Sequence, residues 1–176
     1  MPSILSHPAV PLAIGLGLGS TIISQRLLLA GVVVSIVPDA DVYLQMVTSS
    51  IGHRGLTHTL LFALLCAAFA TLIAHPLQTR RLTAFWFIAT ATVSHGLLDA
   101  FTTGGAGIPF FWPLSAERYF MPWRMIEVSP MGIVRFFSER GITVIVSELK
   151  WIWLPASLIA LSLYWSRGSR APAARR

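Results

Sequence analysis

Apolar residues along the chain gather into five segments separated by short polar breaks. The first covers residues 8–24 and carries Gly-Leu-Gly-Leu-Gly-Ser, small residues that suit close helix packing in a membrane. The second starts at Leu27; its unbroken apolar run is short for the roughly 20 residues of a membrane crossing. It is therefore expected to continue to residue 47, with Asp39 and Asp41 near the water boundary. The third covers residues 56–74, with Thr57 as the expected helix cap. The fourth covers residues 82–101 and the fifth residues 151–165, with tryptophans at both ends of the fifth as interfacial anchors. The expected fold is all-α, a polytopic membrane protein of about five embedded helices. Residues 1–166 form a single membrane domain. Within it, residues 102–150 form a cap on the membrane surface with an interfacial helix near 131–140. Residues 167–176 are a basic tail expected to be disordered.

Composition supports this reading. Of 176 residues, 55% are hydrophobic and 11% charged, with a mean hydropathy of +0.70. A soluble domain carries about 25% charged residues. The net charge of +6 would suggest nucleic acid in a soluble protein. Here the basic residues lie between apolar runs, which sets orientation instead, and nucleic acid is not an expected partner. Arg26, the pair Arg80 and Arg81, and Arg167, Arg170, Arg175 and Arg176 fall on one side, which the positive-inside rule makes cytoplasmic. The lone cysteine, Cys66, sits in an apolar run and reads as a small packing residue.

The remaining polar residues are not scattered. His7, Asp39, Asp41, His53, His58, His95 and Asp99 all fall at the opposite, extracytoplasmic ends of their segments. His95 and Asp99 are four apart, so they share a helix face. His53 and His58 can share a site only if the stretch from Gly52 to Gly55 turns. Unpaired carboxylates and imidazoles are costly beside hydrocarbon, so a divalent-cation site is expected. Zinc suits this donor set first, then manganese or iron. An open coordination position would activate water for hydrolysis. Asp41 and His58 are candidates for base or ligand, and Arg54 for a phosphate contact. Two other classes stay open. One is an ion, proton or metal transporter, which would line both halves of the membrane with polar groups. The other is a structural or regulatory protein whose cluster ties helices together.

Pro-Asp-Ala-Asp at 38–41, His-Arg-Gly-Leu-Thr-His at 53–58 and His-Gly-Leu-Leu-Asp at 95–99, followed by Thr-Thr-Gly-Gly, resemble the YdjM-type family of small membrane-bound metal-dependent hydrolases. The resemblance covers roughly residues 7–113. More distantly, the order His, Asp, His, His-x-x-x-Asp is similar to the first half of the zinc-dependent phospholipase C and single-strand nuclease superfamily. That likeness implies ligands among His7, Asp39, Asp41, His53, His58, His95 and Asp99. It stops there, because no histidine follows His95, so one or two metals are expected rather than three. The resemblance implies a bacterial inner-membrane protein. At headgroup depth, the substrate would be a phospholipid or lipid-linked phosphate, with membrane lipid the expected partner.

Overall fold

The computed structural model describes residues 1–41, 54–130 and 132–168. Among these the fold is all-helical, with two isolated β-bridges and no strand. Helix α1 (Ala9–Leu18) ends at Gly19, whose φ of 77° only glycine adopts freely. Helix α2 (Gln25–Val34) starts at Ser24, whose hydroxyl accepts the Leu27 amide at 3.1 Å. A 3-10 turn, Val37–Ala40, follows with Pro38 in its first half. A second 3-10 turn, Leu56–His58, leads into α3 (Leu60–Leu72). The cap of α3 is Thr59, which accepts the Phe62 amide at 3.1 Å, and not Thr57 as the sequence suggested. Thr57 turns its hydroxyl to Asp41 instead. Helix α4 (Arg81–Ala100) runs 20 residues without a break, about 30 Å. Helix α5 (Ile133–Phe136) is a single turn. Helix α6 (Glu139–Glu148) continues through a π turn, Leu149–Trp153, into α7 (Leu154–Gly168).

Small residues let these helices approach closely. Ala63, Ala67 and Ala70 form a buried stripe on α3, and α3 packs along α4, which also receives α2. Helix α1 packs along α7, where a Cβ on Gly17 would come within 2.7 Å of the Leu163 side chain. The Gly-Leu-Gly-Leu-Gly stretch thus serves packing within the chain. One apolar core joins Ile23, Leu27, Ala70, Ala84, Phe87 and Ile88. A second joins Ala9, Ala13, Ile126, Ile152 and Ala156. Outward, Leu64, Leu65, Phe69, Leu72, Trp86, Leu158 and Trp165 are exposed, an apolar exterior of the kind that meets lipid.

By length and composition, one helix among the described residues can cross a membrane: the continuous stretch Glu139–Arg167, 29 residues with a mean hydropathy of 1.6. The five crossings expected from the sequence are not confirmed. Helices α1, α2 and α3 have 10, 10 and 13 residues, short of the roughly 20 a crossing needs. Helix α4 is long enough, but threonines, Ser94, His95 and Asp99 dilute its apolar character. The expected continuation of the second segment, residues 42–47, lies outside the described residues. The last helix starts at Glu139, a dozen residues before the expected boundary. Its charges made it resemble the cap, yet Gly141, Val144 and Glu148 are buried.

The stretch from Thr102 to Pro130 folds back over one end of the bundle. Its backbone joins α4 through Met121 to the Ala100 carbonyl (2.9 Å) and receives the Leu60 amide at the Phe110 carbonyl (3.0 Å). The other end is basic: Arg26 donates to the Pro76 carbonyl at 3.0 Å, and the Arg167 guanidinium lies against Gly19.

Candidate metal centre

Under the folded-back cap, five turns and helix ends bring ionisable side chains together. His7 comes from the turn before α1, Asp39 from the 3-10 turn after α2, and His58 from the turn before α3. His95 and Asp99 come from successive turns of α4. None is more than 5% exposed.

Two imidazoles face each other, with His95 Nε2 3.0 Å from His58 Nε2. Asp39 Oδ1 lies 3.5 Å from His95 Nε2, and Asp99 Oδ2 3.6 Å from His58 Nε2. Donor atoms of Asp39, His58, His95 and Asp99 all fall within 4.8 Å of one another. Around a tetrahedral zinc with bonds of about 2.0–2.1 Å, donors stand about 3.3 Å apart. No oxygen of Asp39 or Asp99 accepts a hydrogen bond among the described residues. Buried carboxylates left so are costly, and a cation between them and the facing imidazoles removes that cost. The residues therefore fit a divalent cation.

The surroundings hold the donors in the orientation a cation needs. The Ser35 carbonyl lies 2.8 Å from His95 Nδ1, which fixes the proton there and leaves Nε2 free to ligate. Asp41 stands on the far side of His58, with Oδ2 3.4 Å from Nδ1. Asp41 is itself held by the Arg54 amide at 3.0 Å and the Thr57 hydroxyl at 3.1 Å. Carboxylate, imidazole and cation in line is the usual arrangement that orients a histidine ligand. Arg54 is 1% exposed, with a φ of 62°. Its Nε pairs with Asp99 Oδ2 at 3.1 Å, and its two terminal nitrogens donate to Thr102 Oγ1 (3.3 Å) and the Gly104 carbonyl (3.4 Å). A Cβ at Gly105, where φ is +100°, would strike that guanidinium. His7 stacks on His95 with ring centroids 3.8 Å apart and planes 19° apart, and the Met1 amino group lies 4.0 Å from Asp99 Oδ1. Burial pushes the His7 imidazole down to about 4, so it is neutral near pH 7.

Six of the eight residues singled out in the sequence meet directly here: His7, Asp39, Asp41, Arg54, His58 and Asp99, joined by His95 in the same cluster. His53 lies outside the described residues. The sequence reading passed over Ser35, Thr102 and Glu148. Ser35 acts through its carbonyl and carries no side-chain signal. Thr102 does carry one: it stands three residues after Asp99, where a hydroxyl can turn back on the helix end, and it bonds the Asp99 carbonyl at 2.7 Å.

Helices with an apolar exterior and one buried carboxylate–imidazole centre define a small helical membrane protein with a candidate metal site. The sequence matches the family described as YdjM inner membrane protein over residues 1–173, and the chain belongs to that family. It is similar to the inner membrane protein YbcI of Escherichia coli (strain K12), 43% identical over 172 residues, which span 95% of this chain and 99% of that protein. No solved structure matches it.

Proposed function

We propose that the chain is a membrane-bound metal-dependent hydrolase that cleaves a phosphoester of a lipid or lipid-linked substrate. The observation that carries the reading is the facing pair His58 Nε2 and His95 Nε2, 3.0 Å apart, flanked by the unsatisfied carboxylates of Asp39 and Asp99. When bound, a zinc or manganese ion supplies a Lewis acid for a phosphoryl oxygen and makes water nucleophilic near neutral pH. His58, His95, Asp39 and Asp99 would hold it. Asp41 keeps the His58 proton on Nδ1 and so keeps Nε2 basic. Arg54 holds Asp99 in place and brings a fixed positive charge near any phosphate that enters. The proposed orientation has the centre on the extracytoplasmic face and the tail in the cytoplasm. It is supported by Arg26 and Arg167, which gather at the end away from the centre.

A second reading, a non-catalytic metal tie between helices, is favoured by one observation: every donor is 5% exposed or less, and closed sites are characteristic of structural metals. Metal content decides whether either reading stands. Detergent-purified wild type should hold at least about one divalent cation per chain, and the His95→Ala/Asp99→Ala double variant none. A wild type without metal after exposure to zinc and manganese would end both readings. If metal is bound, hydrolysis of phosphoester lipids in mixed micelles, lost in the double variant, separates enzyme from tie.

A further inference from the structure

Four donors account for one cation position, and His7 is not among them. Yet His7 is fully buried, and neither of its ring nitrogens has a hydrogen-bond partner among the described residues. A buried imidazole with both nitrogens idle is rare unless something binds it. The carboxylates beside it are divided in a regular way. Asp39 turns Oδ1 toward His95 Nε2 at 3.5 Å and Oδ2 toward His7 Nε2 at 3.4 Å. Asp99 turns Oδ2 toward His58 Nε2 at 3.6 Å and Oδ1 toward His7 Nε2 at 3.8 Å. Each carboxylate thus offers one oxygen to the His58–His95 pair and the other to His7. An ordinary ion pair would seat His7 on one carboxylate at hydrogen-bond length, not midway between two. The stacking agrees: His7 and His95 lie 3.8 Å apart and nearly parallel. Parallel imidazoles on neighbouring cations stand about as far apart as the cations, and two-metal hydrolytic sites hold theirs about 3.5–4 Å apart.

We propose that His7, Asp39 Oδ2 and Asp99 Oδ1 form a second divalent-cation position, bridged through both carboxylates to the position held by His58 and His95. The inference rests on the reading of the centre as a metal site and deepens it. The second position has three protein donors against four at the first. It is the one with coordination to spare for water and for a phosphoryl oxygen. Two divalent cations outweigh the carboxylates of Asp39, Asp41 and Asp99, so the loaded centre carries net positive charge and suits a dianionic phosphate monoester.

The test is metal stoichiometry, with manganese as a spectroscopic probe. Wild type in detergent should bind two manganese ions per chain and give the exchange-coupled electron paramagnetic resonance spectrum of a close pair. His7→Ala should bind one and give the six-line spectrum of an isolated ion. One ion per chain in both proteins, with the isolated spectrum in each, overturns the second position and leaves the first intact. No ion in the wild type overturns the centre itself. Should His7→Ala fail to fold, the wild-type spectrum alone decides, since coupling requires two ions within a few ångströms. His7→Gln, which keeps bulk and polarity, should also lose one ion.

Discussion

The chain buries acidic side chains in two places and treats them in opposite ways. Glu148, 3% exposed on α6, is surrounded by donors. Its carboxylate takes the Ser3 amide, the Ser3 hydroxyl at 2.7 Å and the Ser6 hydroxyl at 2.8 Å. Asp39 and Asp99, equally buried, accept no hydrogen bond among the described residues and face imidazole nitrogens instead. Where this fold buries a carboxylate to fasten two segments, it satisfies every oxygen with protein donors. Where it leaves the oxygens bare, the missing partner is best supplied from outside the chain, and a divalent cation is the partner those atoms fit.

The contrast can be broken most sharply by removing one carboxylate from each place and measuring melting in detergent with chelator present. Glu148→Ala strands three buried donors and should cost about 3 kcal/mol. Asp39→Asn removes a charge that nothing in the metal-free chain offsets. It should leave metal-free stability within about 1 kcal/mol of wild type, or raise it, while abolishing metal binding. Equal losses from the two substitutions would sink the distinction. Next in size is Asp41→Asn. It loosens the His58 orientation without removing a donor from the cluster, and it should weaken metal affinity about 10–100-fold by titration against a competing chelator. An unchanged affinity would reduce Asp41 to a partner of Arg54 and Thr57. Smallest is Thr59→Ala, which removes the cap of α3 and should cost about 1 kcal/mol of stability. Metal content should not change, because the hydroxyl of Thr59 touches no ligand.

Much of the centre was legible because its members are anomalies. An aspartate and a histidine four apart in an apolar helix have few innocent explanations, and the charges of Arg26, Arg80 and Arg81 already implied that the ionisable ends share one side. The roles were less legible. Asp39 and Asp41 are two residues apart and equivalent on paper. Only the turn at Val37–Ala40 sends one toward His95 and the other behind His58. Glu148 looked like one more cap charge, since its partners Ser3 and Ser6 lie more than 140 positions away. Helix lengths were overestimated because an apolar run continues through turns. Gly19 ends α1 by backbone geometry, and the residues after it remain as hydrophobic as those before.

The π turn at Leu149–Trp153 has a genetic consequence. Glu148 and Trp153 both reach Ser6, the carboxylate accepting its hydroxyl at 2.8 Å and the indole donating to it at 3.2 Å. Residues five apart on an α-helix point about 140° away from each other. The wider i→i+5 turn brings them back over one another. In effect the helix stores one extra codon there. Deleting that codon would regularise the hydrogen bonding and yet swing everything downstream by about 100°. Leu163 would turn from Gly17, and Arg167 from Gly19. A deletion that improves the helix locally would unseat α7 from α1, whereas the same deletion in the exposed turn of the cap around Leu114 would leave that seam untouched.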